Sequence, residues 1–315
     1  MDIGKNKVNC LKNSPVLQDE ERAELLRRLN ATIDDKKIAI NTLEGGNLPR
    51  RNEIITIINK LWELVFPGYD DKLFSFNELP QFFSEAIKEL ELMLFDQICR
   101  ALKHGCKGEN CLTCNISAKA KESVKKFLYS IPEIREILKH DVHAAFVGDP
   151  AAMSYDEIIL SYPCIKTIAI QRFAHLLYLD KIPLIPRMMT EYTHSLTGID
   201  IHPGATLGKG VFIDHGTGVV VGETAVIGNN VRIYQGVTLG ALSFPKDACG
   251  MLIKGKKRHP TIEDNVIIYA GATVLGDITI GSNSVIGGNV WVTESLAQGT
   301  KITAKLPEHF VKVGK

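Results

Sequence analysis

Up to about Leu196, apolar positions recur at helical spacing. Leu17, Leu25, Leu26 and Leu29 fall on one side of a segment opened by Ser14-Pro15, a pair suited to a first helical turn. Ile54, Ile55, Ile58, Leu61, Trp62 and Val65 repeat the spacing until Pro67-Gly68 stops it. Phe82, Phe83, Ala86, Ile87, Leu90, Leu94 and Ile98 form a third stripe ending near Gly105. Further helices are predicted over 116–130, 132–146, 155–161, 163–179 and 183–196, with the apolar stripes read as core packing.

After Gly198 the period becomes six. The pairs Ile199/Ile201, Ala205/Leu207, Val211/Ile213, Val219/Val221, Ala225/Ile227, Val231/Ile233 and Val237/Leu239 are followed by Pro260/Ile262, Val266/Ile268, Ala272/Val274, Ile278/Ile280, Ser284/Ile286 and Val290/Val292. The second member is Ile, Leu or Val in all thirteen pairs, where a 45% apolar composition would place about six apolar residues by chance. Such a repeat predicts a triangular solenoid: each unit is one short strand and one corner, and three units make a coil. Stacked coils bury the aliphatic positions and pair the backbone from coil to coil. Glycines after many strands (Gly208, Gly222, Gly228, Gly240, Gly276, Gly281 and Gly287) are expected at corners that need positive φ. The fold class is therefore α+β, an all-α segment over 1–196, a parallel β-helix over 197–302 and a tail over 303–315.

Composition narrows the function. A formal charge of +1 leaves no chain-wide electrostatic footprint for nucleic acid or an anionic membrane. No apolar run approaches the roughly 18 residues of a membrane-spanning helix, and the polar start lacks a signal-peptide core, so a cytoplasmic protein is expected. The seven cysteines are then expected to be thiols or metal ligands. Cys99, Cys106, Cys111 and Cys114 cluster with His104 in a loop between helices. They read either as reduced thiols, as a zinc or iron–sulfur site, or as a redox-sensing disulfide.

Chemistry is expected where the repeat breaks. Ile213 to Val221 spans eight positions instead of six, and the extra residues fall in Asp214-His215-Gly216-Thr217-Gly218. His215 lies beside an acid and is followed by Gly216 and Gly218, which let backbone approach a ligand. Asp200, fifteen residues earlier and a little less than one coil away, reads either as a turn residue or as a carboxylate near enough to fix the His215 tautomer and raise its basicity, as a general base requires. The second break, Ala241 to Arg258, returns to the scaffold at His259-Pro260. Arg258 there is either part of a solvated basic loop or a guanidinium that grips a carboxylate.

Together these residues resemble the serine O-acetyltransferases of the hexapeptide-repeat acyltransferase family. The resemblance rests on Asp149-Pro150-Ala151-Ala152, Gln171-Arg172-Phe173-Ala174-His175, the run from Thr197 to Gly204, Asp214 to Gly218, Val221 to Gly228, Gln235 to Gly240 and Arg258-His259-Pro260. It covers about residues 130 to 302. It implies a left-handed β-helix and transfer of acetyl from acetyl-CoA to the hydroxyl of L-serine, giving O-acetylserine and CoA, the first step of cysteine biosynthesis. In that resemblance His215 is the general base and Asp200 its orienting carboxylate. Asp149 and Asp214 hold the serine ammonium, Arg258 and His259 hold its carboxylate, and Gly240, Ala241 and Ala270 line the acetyl-CoA channel. Direct attack without an acyl-enzyme is implied, with acetyl-CoA as co-substrate and no cofactor. The resemblance also implies sites between the subunits of a homotrimer, sometimes paired into a hexamer.

Two departures matter. The loop from Ala241 to Arg258 is longer than in common bacterial members and resembles a long N-terminal, trimeric branch. The ending Val311-Lys312-Val313-Gly314-Lys315 lacks the Ile-containing tail used to dock O-acetylserine sulfhydrylase, which puts that docking and the usual feedback inhibition by cysteine in doubt. Three other readings stay open: a metal lyase using His202, His215 and His259, an acetyltransferase for a sugar or other alcohol, and a non-enzymatic scaffold.

Overall fold

The computed structural model describes residues 16–33, 40, 47–70, 74–106, 115–243, 250–253 and 255–305. The expected helix start at Ser14-Pro15 and the thiols of Cys111 and Cys114 lie outside the described residues. The chain divides into two compact units, Met1–Gly46 and Asn47–Lys315. The first holds helix α1 (Asp19–Ile33), in which Leu25, Leu26 and Leu29 are exposed, so the core packing expected of that stripe is not made.

The second unit begins with α2 (Arg51–Val65), α3 (Leu79–Gly105), α4 (Ile116–Gly148), α5 (Tyr155–Ser161), α6 (Pro163–Leu179) and α7 (Ile185–Thr197). The predicted helices 116–130 and 132–146 are one helix, α4, with Pro132 inside it. Proline removes a helical N–H donor there and disfavours continuation. The buried stripe Phe127, Ile131, Ile134, Leu138, Val142 and Ala145 runs through the position, however, and packing keeps the helix going. The Ser130 hydroxyl also donates to the Phe127 carbonyl at 2.6 Å, close to the interruption. Helix α6 is buried along most of its length and forms the centre of the helical layer. None of the described helices is long and apolar enough to cross a membrane.

Gly198, left-handed at φ 71°, caps α7 and turns the chain into the repeat. The strands are β1 (Asp200–Ile201), β2 (Thr206–Leu207), β3 (Phe212–Ile213), β4 (Val220–Val221), β5 (Val226–Ile227), β6 (Arg232–Ile233), β7 (Thr238–Gly240), β8 (Thr261–Ile262), β9 (Ile267–Ile268), β10 (Thr273–Leu275), β11 (Thr279–Ile280), β12 (Val285–Ile286), β13 (Trp291–Val292) and β14 (Lys301–Ile302). They stack into three parallel sheets, β1-β4-β7-β10-β13, β2-β5-β8-β11 and β3-β6-β9-β12-β14, one for each face of the coil. Thr238 stands on Val220, a coil of 18 positions; Val220 stands on Asp200, 20 positions, because of the insertion at Asp214–Gly218. Thr273 stands on Thr238, 35 positions, because the loop after β7 intervenes. Both members of nearly every pair point inward, from Ile199 and Ile201 to Val290 and Val292.

One expectation about the corners is corrected. Of the seven corner glycines, only Gly276 has positive φ; that conformation is otherwise carried by residues such as Gly236, Gly271, Asn230, Asn265 and Asn283. The corner glycines instead answer crowding between coils: a Cβ on Gly208 would lie 2.5 Å from the Gly228 carbonyl oxygen.

The first coil sits at the end of all three sheets. Its N–H groups donate to the second coil, as from Asp200 to Val219 and from Thr206 to Ala225, so its outward carbonyls lack strand partners. Helix α6 supplies donors. Gln171 Nε2 donates to the Ala205 carbonyl at 2.7 Å, and Arg172 donates to the Leu207 and Gly208 carbonyls at 3.1 and 2.6 Å. His175 Nδ1 donates to the Pro203 carbonyl at 2.8 Å. Arg172 also grips the fully buried Asp141 of α4 through two bonds of 3.0 Å. Helices and solenoid are thereby joined by hydrogen bonds as well as by packing.

Candidate active site

The insertion after β3 places His215 on a tight turn. The Gly216 N–H donates to the Asp214 carbonyl at 2.6 Å, and His215 itself adopts φ 57°. A histidine in the left-handed region is uncommon, and such backbone concentrates at functional sites. The ring points outward, with its side chain 71% exposed, and its Nε2 lies 3.9 Å from Asp214 Oδ1.

Asp149 stands beside this turn, delivered by the end of α4. Its Oδ1 accepts the Ala151 N–H at 2.8 Å, and its Oδ2 accepts the Tyr162 hydroxyl. The Tyr162 hydroxyl first, the Ala151 N–H second, and nearby His215 and Arg232 hold the Asp149 carboxyl below its usual range. Burial first, and then the bond to Asp149, push the Tyr162 phenol up. The structure thus brings Asp149, Asp214 and His215 together. Ala270 lies on the same corner of the solenoid, two residues past β9 as Gln235 is two past β6.

Asp200 is placed differently from the expectation. Its carboxylate clusters with Glu191 and His194 of α7, their donor atoms all within 4.8 Å of one another, and no hydrogen bond or ion pair joins it to His215 among the described residues. The cause is the Gly198 cap, which lays β1 directly against the last turn of α7. This trio is also the only cluster among the described residues with metal-ligating side chains in reach of one another. Arg187 already holds Glu191 Oε1 at 2.6 Å, and His194 Nδ1 is 3.1 Å from its Oε2. Cys99 and Cys106 are half-buried, and burial pushes the Cys99 thiol up.

Arg258 and His259 sit on the next corner, after β4, with Gly240 and Ala241 one coil further on. Thr224 clasps the returning loop. Its Oγ1 accepts the N–H groups of Arg258 and His259 at 3.0 and 3.1 Å, and its carbonyl accepts Lys257 Nζ at 2.7 Å. His259 Nδ1 accepts from the Thr224 N–H at 3.0 Å and from the Thr224 hydroxyl at 2.8 Å. The ring must then carry its proton on Nε2. Burial first, then the Arg258 charge, lower the His259 pKa to about 4, so the ring is neutral near pH ~7. A Cβ on Gly222 would lie 2.0 Å from His259 Cδ2, so only glycine leaves room for this ring. Arg258 Nη2 donates to Glu223 Oε2, and the Tyr178 hydroxyl of α6 donates to Glu223 Oε1 at 2.7 Å. Burial pushes the Glu223 carboxyl up, but the bonds from Arg258 and Tyr178 outweigh it and hold the carboxyl below its usual range.

His202 and His259 both accept a backbone N–H on Nδ1, His202 from Gly204 at 3.0 Å. Both therefore hold a proton on Nε2, the reverse of a metal-ligating histidine that donates from one nitrogen and binds through the other. His215 stands on the other corner, so the three do not converge in one chain. Tyr162, Tyr178 and Thr224 were not singled out from sequence. Tyr162 and Tyr178 act on partners 13 and 45 positions away, brought close only by the fold, although Glu223-Thr224 lay within a quoted motif.

Comparison with known proteins agrees with this architecture. Residues 259–294 match the family described as bacterial transferase hexapeptide (six repeats). A plasmid serine acetyltransferase of Synechococcus elongatus is 48% identical over 260 residues, 81% of this chain and 82% of that protein. The crystal structure of serine acetyltransferase isoform 3 from Entamoeba histolytica, in complex with cysteine, superposes with a TM-score of 0.66 at 39% identity, over 82% of this chain and 84% of that one. Native serine acetyltransferase 1 from the same organism gives a TM-score of 0.67 at 32% identity, over 90% and 97% of the two chains. The fold is a helical N-terminal region followed by a left-handed parallel β-helix of hexapeptide repeats. The chain belongs to the serine acetyltransferase family of acyltransferases.

Proposed function

We propose that the protein transfers the acetyl group of acetyl-CoA to the hydroxyl of L-serine by direct attack, with His215 as general base. The observation that carries this reading is the exposed imidazole of His215 on its left-handed turn, flanked by the carboxylates of Asp214 and Asp149. Two carboxylates beside a base suit a substrate whose ammonium group adjoins its hydroxyl. His215 removes the hydroxyl proton as the oxygen attacks the thioester carbonyl, then returns it to the departing CoA thiolate. General-base catalysis of this kind contributes about 10²–10⁴-fold.

The substrate carboxylate falls to Arg258 and the Nε2–H of His259. Within one chain these lie a coil face away from His215: Val219–Gly222 at about 3.3 Å per residue puts more than ~10 Å between the corners. A second copy presenting its Arg258 corner to the His215 corner completes the site, and a closed homotrimer does this three times over. Asp200 takes its orienting role in the substrate complex. The exposed His215 ring is free to turn, and catalytic hydrogen bonds commonly tighten only when substrate is bound. Gly240, Ala241 and Ala270, small residues on the two corners, leave room for the pantetheine arm.

The test is thiol release from acetyl-CoA with L-serine, compared with homoserine and simple sugars. Serine is expected to be the preferred acceptor, and His215→Ala is expected to fold while losing about 10²-fold or more in kcat. Near-normal turnover by that variant, or a preference for sugars, would remove the assignment.

A further inference from the structure

We propose that Thr224, Glu223 and Tyr178 are positioning residues that preset Arg258 and His259 as a carboxylate receptor, Thr224 by fixing the His259 tautomer and Glu223 by aiming the Arg258 guanidinium. The inference rests on the reading that Arg258 and His259 receive the substrate carboxylate.

Thr224 forms hydrogen bonds to Lys257, Arg258 and His259 together. Its hydroxyl accepts from two backbone N–H groups and donates its own proton to His259 Nδ1. With the Thr224 N–H on the same nitrogen, a Nδ1–H tautomer would face two donors and is excluded. His259 is left as a neutral Nε2–H donor that cannot rotate, because its ring lies against Gly222 and is 6% exposed. A neutral N–H beside a guanidinium recognises a carboxylate without adding a second buried positive charge.

Glu223 completes the device. It takes one N–H of Arg258 and leaves most of the guanidinium donors for an incoming carboxylate. The Tyr178 hydroxyl holds the other Glu223 oxygen, and its phenol is pushed up to about 12 by burial and by that bond, so it remains a donor. Tyr178 belongs to α6, whose Gln171, Arg172 and His175 fasten the first coil, so the aim of Arg258 is referred to the rigid junction of helices and solenoid. The functional consequence is specificity: these residues should matter for an acceptor that has a carboxylate and not for one that lacks it.

Steady-state kinetics of Tyr178→Phe, Glu223→Gln, Thr224→Val and Thr224→Ser, with L-serine and with ethanolamine, test this. The first three are expected to raise the serine KM about tenfold. The acetyl-CoA KM, and kcat/KM for ethanolamine, should stay within about threefold. Thr224→Ser, which keeps the hydroxyl, should restore the serine KM. Nitrogen-15 spectra of His259 should show a protonated Nε2 in the parent protein, and a shifted Nδ1 resonance in Thr224→Val, where that nitrogen loses the hydroxyl donor but keeps the backbone N–H. Arg258→Ala is the benchmark: if it leaves the serine KM unchanged, the carboxylate reading of the pair fails. If Arg258→Ala raises that KM while Tyr178→Phe, Glu223→Gln and Thr224→Val do not, the positioning role fails. Equal losses for serine and ethanolamine would likewise overturn it, since they would reflect general damage to the site.

Discussion

His259 shows how a single residue is prepared for binding by its neighbours, and its titration makes that visible. Its folded pKa of about 4 lies below the ~6.5 of an unfolded imidazole. Between those values the unfolded chain binds a proton that the folded chain refuses. The stability contributed by the neutral ring is therefore complete above pH ~6.5, shrinks as the pH falls, and is lost below pH ~4. Denaturation midpoints followed from about pH 7.5 to 4 should fall more steeply for the parent protein than for His259→Gln; parallel slopes would show an imidazole in contact with water. The same ring predicts the effect of Gly222→Ala. With 2.0 Å available to a new Cβ, the imidazole must leave its place, so serine binding should weaken at least tenfold alongside a stability loss of about 1–3 kcal/mol. Unchanged kinetics in that variant would mean that the ring position is unimportant. His215 was legible in the sequence because a strict six-residue period makes a two-residue insertion conspicuous. The Nε2–H tautomer of His259 was not, because it is set by a threonine 35 positions away whose hydroxyl reaches the ring only through the stacking of coils.

Between elements, the decisive junction is α6 against the first coil. The directionality of the solenoid leaves carbonyls, not N–H groups, at its N-terminal end, and this explains why Gln171, Arg172 and His175 all act there as donors. Arg172→Met would strip two carbonyls of partners and leave Asp141 buried without its counter-ion, and should cost about 3–5 kcal/mol. The double variant Arg172→Met with Asp141→Asn removes the stranded charge while keeping an acceptor for the Val211 N–H, and should recover part of that loss, measured by denaturant unfolding. If the double variant were no more stable than the single, the carbonyl contacts would be the main contribution. The sequence marked these residues only through a family resemblance, since their purpose depends on which way the first coil faces. The solenoid itself was plain, because i, i+2 aliphatic pairs at a period of six fit few other architectures. The expected gap between helices 116–130 and 132–146 is absent because a continuous buried stripe, Phe127 to Ala145, outweighs the local cost of Pro132. The corner glycines were found for the wrong reason: contact between coils, not backbone φ, excludes a side chain at most of them.

For the whole molecule, the arrangement of the two corners makes a prediction about assembly. Asp149, Asp214 and His215 occupy one corner of the coil, and Arg258, His259 and the residues that hold them occupy the next. Rigid stacking forbids their meeting within a chain, since the intervening strand β4 is paired on both sides by β1 and β7. In the proposed homotrimer, three-fold closure would bring one kind of corner to the other kind across each interface. Two inactive variants should then complement each other. His215→Ala keeps an intact Arg258 corner, and Arg258→Ala keeps an intact His215 corner. Co-refolded at equal amounts, an interface becomes competent when the first variant supplies Arg258 and the second supplies His215, which random mixing gives for roughly a quarter of the sites. Turnover at low serine should therefore rise from near zero to about a quarter of the parent value, and the mixture should also contain sites lacking both groups. If activity stayed at the level of the separate variants while light scattering showed mixed oligomers, the two corners would not share a site, and the serine carboxylate would have to be held within the chain that carries His215.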